Sequence, residues 1–241
     1  GQHACISLWL KYQDKLVKAL QPVDNFVYND YRGGVKGVQA KLMQKSNETA
    51  VENGVAVGFG FPNRTGYIIG KRLFNHKDLI KIEVLFKRLS WRSALKRRVK
   101  WRFLVNFAGW ISSLVIRFFL AIKGKSVSRV KYTWVSTFDE SINLFWEKVK
   151  DQYAIMVQRD FVYLNWRYCR KPDNTYHILR AELDGSIVGL IIVKYEDYKD
   201  ARIGFIMESL AIKDSPAIDS LLKRGLMFLS RNKVDFVLAR V

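Results

Sequence analysis

The stretch that decides the fold runs from Phe26 to Ala50, FVYNDYRGGVKGVQAKLMQKSNETA. A β-forming start, Phe26–Tyr28, meets a short polar turn. Then come Arg32, the pair Gly33–Gly34, Lys36 and Gly37. The spacing of Val38 and Leu42 predicts a helix from Gly37 to about Asn53, with Gly54 as its C-cap. A helix N-terminus exposes unpaired N–H groups and the positive end of the backbone dipole, and glycines let an anion come close to that backbone. Arg32 and Lys36 add charge. The turn reads either as a pyrophosphate cradle or as a glycine-rich turn with solvated cations, and a short glycine motif alone does not decide between them.

Working outward, the first 85 residues read as strand, strand, helix, strand, helix: HACISLWLKY and KLVKALQPVDNFVY as strands, VAVGFGF as a short buried strand ended by Pro62–Asn63, and Thr65 to Phe74 as a second helix. From Lys131 a second α/β pattern begins. YTWVSTF is a strand, and DESINLFWEKVKDQYA an amphipathic helix with Asp139 as N-cap. Asp184–Gly185 between two β-runs signals a hairpin. ARIGFIMESLAI is a strand, SPAIDSLLKRGLMFLSRN a helix opened by Ser215–Pro216, and VDFVLARV a last strand.

The 241 residues suffice for one large domain or two small ones, and 49% hydrophobic with 14% aromatic content excludes disorder. Two cysteines, Cys5 and Cys169, exclude a disulfide scaffold, offer no zinc spacing and suit a reducing cytoplasm. No signal peptide is visible, and both ends read as cut from something longer. The net charge is +19, but it is concentrated: from Val84 to Phe138 there is no acid and there are thirteen Lys and Arg residues. A globally basic nucleic-acid binder distributes its charge otherwise, so nucleic acid is not the expected partner.

The glycine turn resembles the acetyl-CoA signature of the GNAT acetyltransferase superfamily, in which a strand leads into Arg/Gln-x-x-Gly-x-Gly/Ala and a helix. YRGGVKGVQAKL carries the arginine, two early glycines and Gly37, and has Val35 where the pattern has a glycine. ENGVAVGFGFPNRTGYIIGKRLF is similar to the elements that follow in that family, a strand ending in an asparagine, here Asn63, and a short helix. A tyrosine on that helix often protonates the leaving thiolate; its usual position falls on Gly70, and Tyr67 is the nearest tyrosine. In the second half, LNWRY and the hairpin after it resemble bacterial GNAT-like proteins encoded near surface-polysaccharide genes, but no glycine turn follows ARIGFIMESLAI.

The resemblance implies an α/β (α+β) fold of two GNAT-like units in tandem, each a mixed, mainly antiparallel sheet flanked by helices. They would span 1–85 and 131–241, joined by a basic and apolar helical linker over 86–130. It implies acetyl-CoA as acyl donor, no metal, and acyl transfer to an amine-bearing small molecule or saccharide such as an amino sugar or envelope precursor. Tyr28, Arg32, Gly33, Gly34, Lys36, Gly37, Val38 and Asn63 would hold the cofactor, with Tyr67 as acid. Glu208, set in the apolar run FIMESL, reads as either a functional acid or a salt-bridged core-edge residue. His3, His76 and His177 are scattered and read as structural. A catalytically inactive binding module is the rival reading.

Phe103 to Ile122 is twenty residues of mainly apolar sequence with Arg117 inside it. Three readings stay open: a helix packed between the α/β units, a helix lying on an anionic membrane through 87–122, or a membrane span, for which Arg117 is costly. The expected location is the cytoplasm, or the periphery of the inner membrane.

Overall fold

The alternating pattern of the first residues forms a long antiparallel hairpin, β1 (Gln2–Tyr12) and β2 (Lys15–Phe26). The computed structural model describes residues 1–33, 36–96, 102–122, 129–172 and 175–240. These fall into two units, Gly1–Lys81 with Lys150–Gln158, and Ile82–Val149 with Arg159–Val241. Each is a mixed sheet flanked by helices, as the sequence led us to expect.

In the first unit the hairpin is followed by α1 (Val38–Glu52), β3 (Val57–Gly58) and α2 (Arg64–Phe74). The sheet order is β3-β2-β1-β6, the last strand being Ile155–Val157 from much later in the chain. Buried Lys11 holds that strand in place: its ammonium donates to the Tyr153 carbonyl at 2.9 Å and lies 3.6 Å from Asp151. The strand's ends are tied to β1 by Gln13 N–H on Ala154 O (2.7 Å) and Gln158 N–H on Trp9 O (2.8 Å). Ala40 and Met43 of α1 pack with Ile69 and Phe74 of α2 into a small apolar cluster.

The second unit has sheet order β4-β10-β9-β8-β7-β5. Its strands are β4 (Val84–Arg88), β5 (Val130–Val135), β7 (Tyr176–Leu183), β8 (Ser186–Tyr198), β9 (Ala201–Ala211) and β10 (Phe236–Arg240). The β7–β8 turn is the expected Asp184–Gly185 hairpin, both residues at positive φ (49° and 79°). Helix α7 (Ala217–Arg231) lies close on β8, where a Cβ on Gly225 would meet Ile191 Cδ1 at 2.9 Å and one on Gly189 would meet Leu221 Cδ1 at 2.8 Å. The α7 N-cap is Pro216, one residue later than the sequence suggested, while the Ser215 hydroxyl still accepts from Ala217 N–H at 3.3 Å. Asp235, fully buried, joins three strands: its carboxylate accepts from Arg202 N–H (2.9 Å), and its carbonyl accepts from Leu89 and Ser90 N–H (2.8 and 3.0 Å).

Two segments sit elsewhere than composition placed them. Val84–Arg88, which opens the acid-free stretch, is an edge strand of the second sheet, and Ile155–Val157 belongs to the first. A period-two pattern says that a segment is a strand, not which sheet edge receives it. Within the insert, α3 (Arg92–Lys96) and α4 (Arg102–Ile122) form, and α4 packs on α3 and α7 of its own unit. Among the described residues no helix is long and apolar enough to cross a membrane. The LNWRY segment runs from α6 (Phe161–Leu164) into a π-turn over Asn165–Cys169. Buried Asn165 explains that turn: it accepts from Phe138 N–H and donates to the carbonyls of Phe138 and Phe161, at 3.0–3.1 Å.

Asp139 caps the following helix, α5 (Ser141–Val149), by accepting from Ser141 N–H at 3.0 Å. The Ser141 hydroxyl and then Arg180 hold its carboxyl below the usual carboxylate range. A depressed folded pKa adds stability above the unfolded value, about 3.9, and that stability is lost as pH falls through the folded pKa. Asp139→Asn, which keeps a capping oxygen, should therefore lower the melting temperature at pH 7. The difference from wild type should vanish in thermal melts run below both pKa values.

Candidate functional site

The carbonyls of Lys18 and Leu20 accept from Ala56 and Phe59 N–H of the β3 segment (2.9 and 3.0 Å), so that edge of β2 faces β3. The parallel pairing covers only Ala19↔Val57 and Leu20↔Gly58. Beyond it β2 continues to Phe26 while the other chain turns away into Phe59–Asn63. Pro22 stands where the partner is lost; by the two-residue repeat its main chain faces the gap, where it presents a carbonyl and no N–H. The next residues bulge: pairing with β1 shifts between Gln2↔Phe26 and Ala4↔Val23, and Asp24 has φ 48°.

The divergence opens a cavity of about 680 Å³ at the carboxyl ends of the parallel pair. One wall is Leu20 and Pro22–Val27 of β2 and its exit, and another is Gly58–Asn63. Helix α1 contributes Gln39, Met43 and Asn47, spaced four apart on one face, and α2 contributes Thr65, Gly66 and Ile69. His3 and His76 complete the lining, with Arg32, Gly33 and Gly37 at the mouth of α1.

The mouth is shaped by backbone. Gly37 is the N-cap residue of α1 and has no side chain to cap the first-turn N–H groups. The turn folds back so closely that a Cβ on Gly37 would lie 2.5 Å from Gly33 N and 2.8 Å from Gly33 Cα. Arg32 donates from Nε to the Val27 carbonyl at 3.1 Å, which anchors its guanidinium beside the end of β2. Lys36 N–H donates to Gly33 O at 3.2 Å, and the Lys36 side chain is exposed.

Of the residues singled out from sequence, Arg32, Gly33, Gly37 and Asn63 line this cavity. Asn63 is also the α2 N-cap, its Oδ1 accepting from Gly66 N–H at 2.9 Å. Tyr28 is exposed with its ring edge-on to Phe26, Val38 opens α1, and Gly34 lies outside the described residues. Tyr67, half-exposed, donates its hydroxyl to Asp78 Oδ2 (3.2 Å), which also pairs with Lys71 (2.8 Å). Glu208 belongs to β9 of the second unit, where it accepts from the Tyr168 hydroxyl at 2.7 Å and pairs with Arg159 at 3.0 Å. Burial, with the neighbouring Glu208 charge, pushes the Tyr168 phenol far up, so it stays protonated.

Two imidazoles that read as scattered prove to share the cavity. His3 Nδ1 lies within hydrogen-bond distance of Gln39 Nε2 (3.0 Å), and burial lowers the His3 pKa. His76 is fixed through its main chain: Asn75 turns left-handed (φ 51°) to end α2, and His76 N–H donates to Gly70 O at 3.1 Å. Its ring occupies the space a side chain at position 70 would need, with a Cβ there falling 2.3 Å from Nδ1. The signal available in sequence was Pro22, a proline inside a strand pattern, which marks an unpaired edge. His177, by contrast, is a packing residue of the second unit, stacked on Tyr195 and packed against Phe228. Among the described residues no group of three His, Cys, Asp or Glu is placed to hold a metal ion.

Similar architecture occurs in solved structures. Saccharomyces cerevisiae N-myristoyltransferase with bound myristoyl-CoA superposes with TM-score 0.59 at 11% identity, covering 99% of this chain and 60% of that one. A GCN5-related N-acetyltransferase from Kribbella flavida gives 0.59 at 12% identity, covering 99% and 49%. One from Anabaena variabilis gives 0.55 at 14%, covering 99% and 52%. The chain shares their fold. It spans about half to three-fifths of the length of these proteins. No family model and no curated protein sequence matches it.

The close approach of Gly33 and Gly37 makes a direct test of the mouth geometry. Gly37→Ala should destabilise the chain by about 1–3 kcal/mol, because backbone rather than a side-chain tip must give way. Gly58→Ala, whose Cβ meets only Leu20 O at 3.8 Å, should change stability little. Urea titrations of the two variants make the comparison.

Proposed function

We propose that the first unit binds an acyl-CoA and that the protein transfers the acyl group to an amine. The observation that carries this reading is the cavity opened by the parting of β2 and β3 directly at the uncapped N-terminus of α1. Phosphates suit the α1 mouth, where Arg32, Gly33 and Gly37 line the cavity and Lys36 and Val38 flank Gly37 at the helix start; Gly34 is proposed with them from its place in the sequence alone. The pantetheine arm, which resembles an extended peptide, suits the unpartnered edge of β2. The yeast neighbour solved with myristoyl-CoA lends support to a CoA thioester as donor. Acetyl is the acyl group proposed, and an amino sugar or envelope precursor the acceptor, in a cytoplasmic setting.

In such a reaction a neutral amine attacks the thioester carbonyl, the amine loses a proton, and the thiolate leaves with one. An alkyl ammonium titrates near 10, so the site must supply a base and a charge-stabilising donor. We place these roles on His3 and His76. Burial favours the neutral form of His3, and with Gln39 Nε2 on its Nδ1 the other ring nitrogen would serve as the donor. Tyr67 and Glu208, the candidates read from sequence, have side chains held by Asp78 and by Arg159 with Tyr168, and neither lines the cavity.

Calorimetry with acetyl-CoA should give micromolar binding, weakened at least about tenfold in Arg32→Ala/Lys36→Ala, about 1.4 kcal/mol. No binding of acetyl-CoA or longer acyl-CoAs by the folded chain would remove the reading and leave a module that binds something else. His3→Gln should keep CoA affinity and lower the acyl-transfer rate by about 100-fold.

A further inference from the structure

Helix α4 is amphipathic in the inverse sense to a packed helix. Its inward side is small or polar. Val105 is 2% exposed and Gly109 lies against Arg92, where a Cβ would come within 2.8 Å of the Arg92 Cβ. Ser112 accepts from Trp91 N–H at 3.2 Å and donates to the Gly109 carbonyl at 2.9 Å. Its outward side carries the large apolar residues. Phe103, Phe107, Trp110, Ile111, Leu114 and Val115 are all exposed, from 39% at Leu114 to 77% at Phe103. At 100° per residue these six fall within one arc of about 140°. Phe103, Phe107 and Trp110 form a continuous ring ladder, with centroids 6.3 and 6.2 Å apart. Trp91, 53% exposed, stands near the same helix with Arg88 over its ring at 4.7 Å.

We propose that this face lies in the plane of an anionic lipid bilayer. The occupant follows from charge. The sequence from Val84 to Phe138 has no acidic residue, and Lys96 and Arg102 stand at the end of α3 and the start of α4. An apolar stripe with Trp and Phe, set in a stretch of sequence rich in Lys and Arg and free of acids, matches the boundary between acyl chains and anionic headgroups. A protein partner would need an acidic surface to match the acid-free stretch around α4, and the chain's own excess of +19 disfavours association with a second copy. A spanning orientation would leave Ser90, Ser112 and the Arg92–Asp235 pair (3.6 Å) at membrane depth.

The test is flotation of the full chain with phosphatidylcholine vesicles, with and without phosphatidylglycerol. Binding should require phosphatidylglycerol, weaken with salt, and fall at least about tenfold in Phe107→Ser/Trp110→Ser and in Lys96→Gln/Arg102→Gln. The apolar pair is exposed, so near-ultraviolet circular dichroism and the melting temperature should stay close to wild type. Absence of flotation, flotation unchanged by both double variants, or equal binding to uncharged vesicles would overturn the proposal. So would a dimer in sedimentation that Phe107→Ser/Trp110→Ser dissolves. None of these outcomes depends on acyl-CoA binding.

Discussion

The candidate site depends on one constraint: two parallel strands that pair for only two residues and then part. A sheet keeps its backbone groups satisfied by keeping its strands together, so a gap between neighbours is costly unless something removes the need for pairing. Pro22 does this on β2 by having no N–H to leave unpaired, and the bulge at Asp24 then turns the strand's end away. The cavity, the opening at the first turn of α1 and the convergence of both helices on one side follow from that parting.

The polar groups around the cavity are held by short, local devices. Asn63 caps α2, the left-handed Asn75 ends it, and the second device sets His76 against Gly70, where the helix has no side chain. Gln39, on the first turn of α1, reaches His3 on β1. These contacts orient two imidazoles toward one cavity, His3 half-buried and His76 exposed. In the second unit Glu208 pairs with Arg159 and accepts from the Tyr168 hydroxyl, a largely buried arrangement that suits a structural role.

Much of this was legible in the chain. The helix after the glycine turn, the Asp184–Gly185 hairpin and the Asp139 cap rest on rules that act within a few residues, and the structure follows them to within one position. The glycines at 33 and 37 were read as room for an anion at the helix start; that they lie against each other is seen only in the fold. Illegible were relations between distant segments: Ile155–Val157 completing the first sheet, Val84–Arg88 joining the second, and His3 with His76 facing one cavity though 73 positions apart in the chain. Tyr67 was singled out as the tyrosine nearest Gly70, the position counted from Asn63, but on a helix four residues and seven residues from the cap differ in height, and the Tyr67 hydroxyl is engaged by Asp78.

The sequence by itself determined where helices start and stop, which turns are tight, and that one stretch concentrates positive charge and apolar residues. Those features depend on φ preferences, capping and composition, all of which are local. Only the tertiary structure decided which strand edges meet, where β2 loses its partner, and which face of α4 turns outward. An apolar stripe has the same periodicity whether it points into a core or away from it; the neighbours on the opposite side, here Arg92, Ser90 and Trp91, decide which.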